Sequence, residues 1–100
     1  MMRRDGETLY VEGPLTLASV GATLPEGKAA VGEGVSTVDL SGVAEVDSSA
    51  LALLLAWLRE AKRQGRELSF AHLPQGLAAI AKLYGVAELL RAAPAETAHH

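Results

Sequence analysis

Segments typical of β-strands alternate with segments typical of α-helices along this sequence of 100 residues, which predicts a single α/β domain with a mixed β-sheet. Two of the connections between predicted strands are long enough to hold the helical crossovers that parallel strands require. One hundred residues can enclose one hydrophobic core but not two, and the sequence contains no internal repeat. We therefore expect one layered domain.

Three strands are predicted from the apolar pattern. Polar and apolar residues alternate over Thr8–Glu12, which places Leu9 and Val11 on one face of a half-buried strand. Residues 35–40 form a second predicted strand, and residues 67–73 form a third that is more heavily covered on one side.

The first helix is predicted to be short. Thr16 can cap it, and Pro25 and Gly27 are expected to end it, because proline lacks an amide donor and glycine weakens a helix. Residues 28–34 are small and glycine-rich, so we interpret them as a turn with some residual helix.

The central helix contains the longest apolar run of the sequence. Asp47 is predicted as its N-cap, with the carboxylate accepting hydrogen bonds from the amides of Ser49 and Ala50, so that Ser48 is the first helical residue. Gly65 is expected to end the helix in a left-handed conformation.

A further helix is predicted between Pro74, which suits a helix start, and Gly85, which suits a helix end. Residues 86–91 form a last apolar turn. Residues 92–100 lack periodicity and are expected to fray. His99 and His100 are either native or the remains of a purification tag.

One side of the central helix is predicted to face the core, and the opposite side carries few large or charged residues near its start. With 100° per residue, the inward arc is centred on Leu54, Leu58 and Ala61, and Trp57 lies at its border. The outward stripe consists of Ser48, Ala52, Ala56, Arg59 and Arg63, and it is framed by Leu53, Leu55 and Trp57. Such a stripe would let another backbone come close. Alternatively, the alanines are present only because alanine is the best helix former.

The composition argues against several classes of function. A formal charge of -3 and 4% aromatic residues provide neither a basic field nor a stacking platform for nucleic acid. The longest apolar run, residues 50–58, is far shorter than the roughly 20 residues that span a bilayer, so direct membrane insertion is not expected. No signal-like segment opens the chain and it contains no cysteine, so we expect a cytoplasmic protein.

Catalytic and metal sites are not indicated. Asp39 and Asp47 flank one loop without a third ligand, which argues against a metal site. A nucleophilic Ser48 would need a base, and only His72, expected to be a partly buried residue at a strand end, is present outside the tail. The segment 32–34 lacks the Lys-Ser/Thr pair of a phosphate-binding loop, so no nucleotide or other cofactor is expected.

Four segments of the sequence carry a family resemblance. They are VDLSGV, VDSSALALLL, GRELSF and AKLYGVAELL. Over residues 9–90 the chain resembles the STAS domain family, the fold of bacterial anti-sigma-factor antagonists. The resemblance implies a STAS-like domain of residues 1–91, with a mixed β-sheet and helices mainly covering one face, followed by a flexible tail of residues 92–100.

The resemblance also implies a role for the start of the central helix. In the family's antagonists, the motif Asp-Ser-(Ser/Thr)-Gly-Leu-Gly holds a serine that a partner kinase phosphorylates. Ser48 matches that serine and Asp47 the preceding acid, whereas Ala50 and Ala52 replace the two glycines. The ending LYGV followed by two leucines is more similar to the STAS subunit of the lipid-asymmetry (Mla) ABC transporter, in which the residue matching Ser48 is needed for contact with the ATPase.

Two functions follow from this resemblance. In the first, the protein is a non-catalytic cytoplasmic accessory subunit that binds and supports the ATPase of a phospholipid-transporting ABC system, at the inner face of the inner membrane. In the alternative, it is an anti-sigma-factor antagonist that an anti-sigma kinase switches by phosphorylating Ser48. A third class, an enzyme with Ser48 as nucleophile, is disfavoured. The predicted partner-binding residues are Asp47, Ser48, Ser49, Ala52, Leu55, Ala56 and Arg59.

Overall fold

The structure, a computed structural model, describes residues 2–90, which form a four-stranded mixed sheet with the strand order β1-β2-β3-β4. Strand β1 (Met2–Asp5) pairs antiparallel with β2 (Thr8–Glu12). Strands β3 (Thr37–Gly42) and β4 (Ser69–Ala71) continue the sheet in parallel with β2. The predicted mixed α/β sheet is confirmed.

Three helices connect and follow the parallel strands. Helix α1 (Val20–Gly32) joins β2 to β3, and α2 (Ser48–Arg63) joins β3 to β4. Helix α3 (Gln75–Leu83) follows β4, and a 3-10 turn at Ala87–Leu90 comes after it. Crossover connections between parallel strands are right-handed, and the two connections here advance in the same direction across the sheet. Helices α1 and α2 therefore lie on the same face of the sheet, where they pack against each other. The helices thus cover mainly one face, as expected.

The core lies between that face and the helices. Alternate strand residues point into it: Leu9, Val11, Val38, Leu40 and Phe70 are all buried, whereas their neighbours along the strands are more exposed. Trp57 on α2 is also fully buried, and its indole Nε1 donates a hydrogen bond of 3.0 Å to the carbonyl oxygen of Leu24 on α1. Trp57, which the sequence predicts at the border of the core, is therefore a core residue.

The strands differ from the prediction in number and length. Strand β1 was not predicted, because three of its four residues are charged and it has no apolar alternation; the turn at Gly6, with a φ of 64°, folds it back onto β2. The third predicted strand, residues 67–73, was too long, since β4 spans only Ser69–Ala71. His72 then takes a φ of 56°, which is incompatible with a continuing strand.

The prediction for α1 was wrong at both ends. Its N-cap is Ser19 rather than Thr16, and the helix continues through Pro25 and Gly27 to Gly32, where a turn with residual helix was predicted. Proline removes only one helical hydrogen bond, and burial of the later residues Gly27, Ala30 and Val31 offsets that loss.

The predicted ends of the later helices are largely confirmed. Helix α2 starts at Ser48, and Gly65 follows its end with a φ of 71°. Helix α3 starts one residue after Pro74, which is its N-cap, and Gly85 follows its end with a φ of 75°. Within residues 2–90, no helix combines the length and apolar character needed to cross a bilayer. The predicted tail, residues 92–100, lies outside the described residues.

Candidate partner-binding surface

Asp47 caps α2 with its side chain. Its backbone is extended, and Oδ1 accepts a hydrogen bond of 2.8 Å from the amide of Ser49, as predicted. The amide of Ala50 donates to the main-chain carbonyl oxygen of Asp47, at 3.0 Å, and is also the smallest of the causes that lower the pKa of the Asp47 carboxyl. The predicted second contact with the carboxylate is therefore present but weak.

The second carboxylate oxygen of Asp47 fixes a neighbouring loop. Oδ2 accepts a hydrogen bond of 3.0 Å from the amide of Leu17, in the connection between β2 and α1. The same connection pairs with the loop before α2 through an isolated parallel bridge between Leu15 and Val46. The Leu17 amide, the largest cause, and the Ser49 amide hold the pKa of Asp47 below its ordinary value. Asp47 therefore positions both loops around Ser48.

The seven predicted partner-binding residues lie on the first three turns of α2 and at its cap. Ser48, Ala52 and Arg59 are exposed, and Asp47, Ser49, Leu55 and Ala56 are half-buried. Ser48, Ala52 and Ala56 follow one another at helical spacing and form a ridge of small side chains on the outward side of α2. We call Ser48, Ala52 and Ala56 the small-residue ridge.

The ridge separates two apolar grooves. The first, of 240 Å³, lies between α1 and α2 and is lined by Val20, Gly21, Leu24, Ser49, Ala52, Leu53 and Ala56. The second, of 330 Å³, lies between α2 and the segment after α3 and is lined by Ser48, Leu51, Ala52, Leu55, Tyr84 and Val86. The ridge and its grooves together form an apolar surface with small side chains at its centre.

Sequence reasoning missed the residues that frame this surface. Leu17 is 77% exposed and is held beside the start of α2 by its hydrogen bond to Asp47, whereas Tyr84 is 60% exposed at the rim of the second groove. Leu17 lies within the stretch from Thr16 to Gly27 that the sequence predicts as the first helix. An exposed leucine next to the predicted contact indicates a binding surface. The exposure of Leu17 could not be predicted from the sequence, because it depends on where α1 begins.

The one histidine among residues 2–90 lies at another edge of the sheet. His72 was predicted to be partly buried, but its side chain is 68% exposed because its left-handed backbone turns it out of the strand. Its Nδ1 lies 3.1 Å from Oδ2 of Asp39. Burial disfavours the charged form of Asp39, but hydrogen bonds from the hydroxyl and amide of Ser41 and from His72 outweigh it and lower its pKa.

The ring of His72 is therefore oriented by Asp39. None of the hydrogen bonds among the described residues joins Ser48 Oγ to a histidine or a carboxylate. Nor do three potential metal ligands cluster anywhere in that part of the chain. What Ser48 offers is an exposed hydroxyl at a helix N-terminus.

Comparison with known proteins identifies the family. A family model described as "Mlab, STAS domain" matches residues 1–91. The chain is a STAS domain protein. It is 35% identical over 83 residues to the intermembrane phospholipid transport system binding protein MlaB of Escherichia coli, and the match covers 83% of this chain and 84% of MlaB.

Solved structures share the STAS fold at low sequence identity. A putative anti-sigma factor antagonist from Thermotoga maritima matches 92% of this chain and 83% of its own, with a TM-score of 0.73 and 11% identity. The anti-sigma factor antagonist SpoIIAA in its unphosphorylated form matches 83% of this chain and 81% of its own, with a TM-score of 0.63 and 16% identity. At these sequence identities the similarity shows only that the fold is shared.

Proposed function

We propose that this STAS domain is a non-catalytic accessory subunit that binds and supports the ATPase of a phospholipid-transporting ABC system. The contact is the small-residue ridge with its flanking grooves. Through this partner the domain would lie at the cytoplasmic face of the inner membrane. The relationship to MlaB, whose name places it in an intermembrane phospholipid transport system, supports the transport role.

The observation that carries the proposal is the uncovered ridge of α2. Helix axes approach most closely where side chains at the crossing are small, and Ser48, Ala52 and Ala56 provide such a crossing over three turns. The two grooves beside the ridge, of 240 and 330 Å³, can take larger apolar side chains from a partner helix. A helical part of an ATPase therefore suits this surface.

Charge at the surface agrees with a protein contact of this kind. Both oxygens of Asp47 are engaged by amides of its own chain, so its charge is already compensated at the edge of the ridge. Arg59, exposed one turn beyond Ala56, is left to meet an acidic group of the partner at the rim. The centre is apolar and the rim is charged, as in stable protein interfaces.

The second candidate function is a switch controlled by phosphorylation of Ser48. It is favoured by the exposed hydroxyl of Ser48 at the first position of α2, where the helix dipole stabilises an added phosphate. Incubation with an anti-sigma kinase and ATP, followed by mass spectrometry of the peptide containing Ser48, tests this candidate.

Co-expression of the chain with a candidate ABC ATPase tests the first function. We expect the two proteins to co-purify in a fixed stoichiometry, and the isolated chain to show no ATPase activity. Ala52→Arg should abolish co-purification, because arginine projects from the middle of the ridge. Ala79→Arg on α3 is the matched control, since Ala79 is also an exposed helical alanine but lines none of the grooves. Equal binding by both variants would overturn the proposed contact.

A further inference from the structure

A separate groove lies at the other end of α2. It has a volume of 600 Å³ and is enclosed by the C-terminal half of α2, by β4 with the residues before it, and by the 3-10 turn. Its apolar lining comes from leucines and one alanine: Leu55, Leu58, Ala61, Leu68 and Leu89. Leu89 is 58% exposed, so its side chain is available at the edge of the groove.

The rim of this groove is basic. Arg59, Lys62 and Arg66 line it, against the single carboxylate of Glu67. Ion pairs among residues 2–90 join Arg4 to Glu33, Arg63 to Glu60 and His72 to Asp39, so none of the three rim cations has an acidic partner there. The whole chain carries a formal charge of -3, which makes this local excess of positive charge a distinct feature.

One wall of the groove is a free strand edge. Within residues 2–90, β4 is the last strand of the sheet and pairs only with β3, and Ser69 at its start lines the groove. An edge strand presents unpaired backbone donors and acceptors on its outer side, to which an extended peptide can add as a further strand. The groove beside this edge can take alternate side chains of such a peptide.

We propose that this groove binds an extended acidic segment of a partner protein as an added strand along β4, with apolar residues at the central groove-facing positions and acidic residues at the outer ones. The apolar side chains enter the leucine-lined groove, and the acidic ones on the same side of the segment meet Lys62 and Arg66 at the rim. The chain's own residues 91–100 do not suit the site, since they hold one carboxylate side chain and no leucine, isoleucine, valine or phenylalanine. A lipid surface fits less well, because the apolar residues line a concavity.

This proposal does not depend on the proposed ATPase contact. Leu55 and Arg59 border both surfaces, so the test uses residues that lie only in the groove. The probe is a short fluorescein-labelled peptide, titrated against the full chain by fluorescence anisotropy, in which every second residue faces the groove, with leucine at the central of these positions and glutamate at the outer ones. The same peptide with lysine in place of glutamate is the matched probe.

We expect saturable binding of the glutamate peptide and none of the lysine peptide. The double variant Lys62→Glu, Arg66→Glu should weaken binding about tenfold or more, because each exposed cation loses its acidic partner and the new charges repel the probe. Leu89→Ala should weaken it several-fold with little change in melting temperature, since Leu89 is largely exposed. Lys82→Glu, a charge reversal on α3 outside the groove, and Ser48→Asp should bind as the parent does.

Amide chemical shifts locate the bound peptide. The proposal requires the largest changes at residues 67–71 and at Leu89, together with slower exchange of the β4 amides. It is overturned if the glutamate peptide does not bind, if the double variant binds it unchanged, or if the shifts change mainly at the small-residue ridge. Binding to phosphatidylglycerol vesicles without binding to the peptide would also overturn it, in favour of a membrane contact.

Discussion

Asp47 organises the start of the central helix through two oxygens with different partners. One accepts from the amide of Ser49 within α2, and the other accepts from the amide of Leu17 in the loop before α1. The first bond is a helix cap that sequence patterning can predict. The second joins residues 30 positions apart and depends on the sheet that brings the two loops together. Asp47 therefore links the fold to the surface that Ser48 presents.

Replacing Asp47 should make stability less sensitive to acid. The folded pKa of Asp47 is depressed, so its contribution is present above the unfolded value of about 3.9 and is lost as pH falls through the folded value. Asp47→Ala should lower the melting temperature by roughly 4–8 °C at neutral pH, from the loss of a cap in a domain of this size. The difference in melting temperature between the parent and Asp47→Ala should narrow as the pH falls below the unfolded pKa and through the folded one.

Asp47→Asn is the matched variant, because it keeps one acceptor oxygen but loses the charge. The melting temperature of Asp47→Asn should lie between those of the parent and of Asp47→Ala at neutral pH. A gap between parent and Asp47→Ala that is the same at neutral and acid pH would contradict the assigned role of the charged carboxylate.

At the scale of elements, the packing of α1 on α2 explains why α1 is longer than its sequence predicts. Trp57 is fully buried and lies directly against the backbone of Gly27, and its Nε1 bonds to the carbonyl oxygen of Leu24. Gly27, which the sequence predicts as a helix end, is instead the residue of α1 against which Trp57 packs. Pro25 beside it is tolerated because the helix around it is held by tertiary contacts.

Two glycine-to-alanine substitutions in α1 should have opposite effects. A Cβ on Gly27 would overlap the ring carbons Cε2 and Cζ2 of Trp57, which has no room to move, so Gly27→Ala should cost about 1–3 kcal/mol or more. A Cβ on Gly21 meets no atom within 4 Å, so Gly21→Ala should gain up to about 1 kcal/mol from helix propensity. Urea unfolding of both variants measures this. Equal effects of the two changes would contradict the packing of α1 on Trp57.

Trp57 should behave as a core residue and not as a contact residue. Trp57→Ala should reduce the free energy of unfolding by about 3–5 kcal/mol, as for a large buried aromatic side chain. Trp57→Phe should cost less, since it keeps most of the apolar volume and loses the bond to Leu24. Thermal and denaturant unfolding measure both. A Trp57→Ala variant that melts nearly as the parent does would contradict the placement.

Elements with strong local signals could be predicted from the sequence. The alternation of β2, the Asp47 cap of α2 and the left-handed glycines after α2 and α3 each follow from residues within a few positions. Strand β1 could not be predicted, because its charged residues become a strand only through pairing with β2. The end of β4 depends on the left-handed backbone of His72, which a histidine does not signal.

The candidate surface was predictable only in part. The stripe on α2 follows from helical periodicity, but the grooves beside it require the positions of α1 and of the segment after α3. Leu17 and Tyr84, which frame it, are distant in sequence from α2. The periodicity of one helix therefore predicts the centre of the surface but not its borders.

At the scale of the whole molecule, the STAS fold places two different surfaces at opposite ends of one helix. The N-terminal half of α2 presents small side chains between apolar grooves, and the C-terminal half borders a basic groove beside the edge strand β4. Substitutions of residues that belong to only one surface, unlike Leu55 and Arg59, should therefore leave binding at the other surface intact. The proposed ATPase contact uses the first surface.

Substitutions at Ser48 separate folding from binding at that contact. An anion at the first helical position is favoured by the helix dipole by roughly 0.3–1 kcal/mol, so Ser48→Asp should melt at or slightly above the parent. In a close-packed contact the same anion must be desolvated without a partner, which costs several kcal/mol. Ser48→Ala loses only a hydroxyl hydrogen bond, at about 0.5–1.5 kcal/mol. Binding should therefore decrease from parent to alanine to aspartate.

Calorimetric titration of the partner ABC ATPase with the parent chain, Ser48→Ala and Ser48→Asp tests whether the small-residue ridge is the contact. We predict that the dissociation constant rises about tenfold or less for alanine and at least a hundredfold for aspartate, while the melting temperatures of the three chains stay close. If all three fold alike and bind with the same affinity, Ser48 is only the first residue of a helix, and the ATPase does not contact this surface.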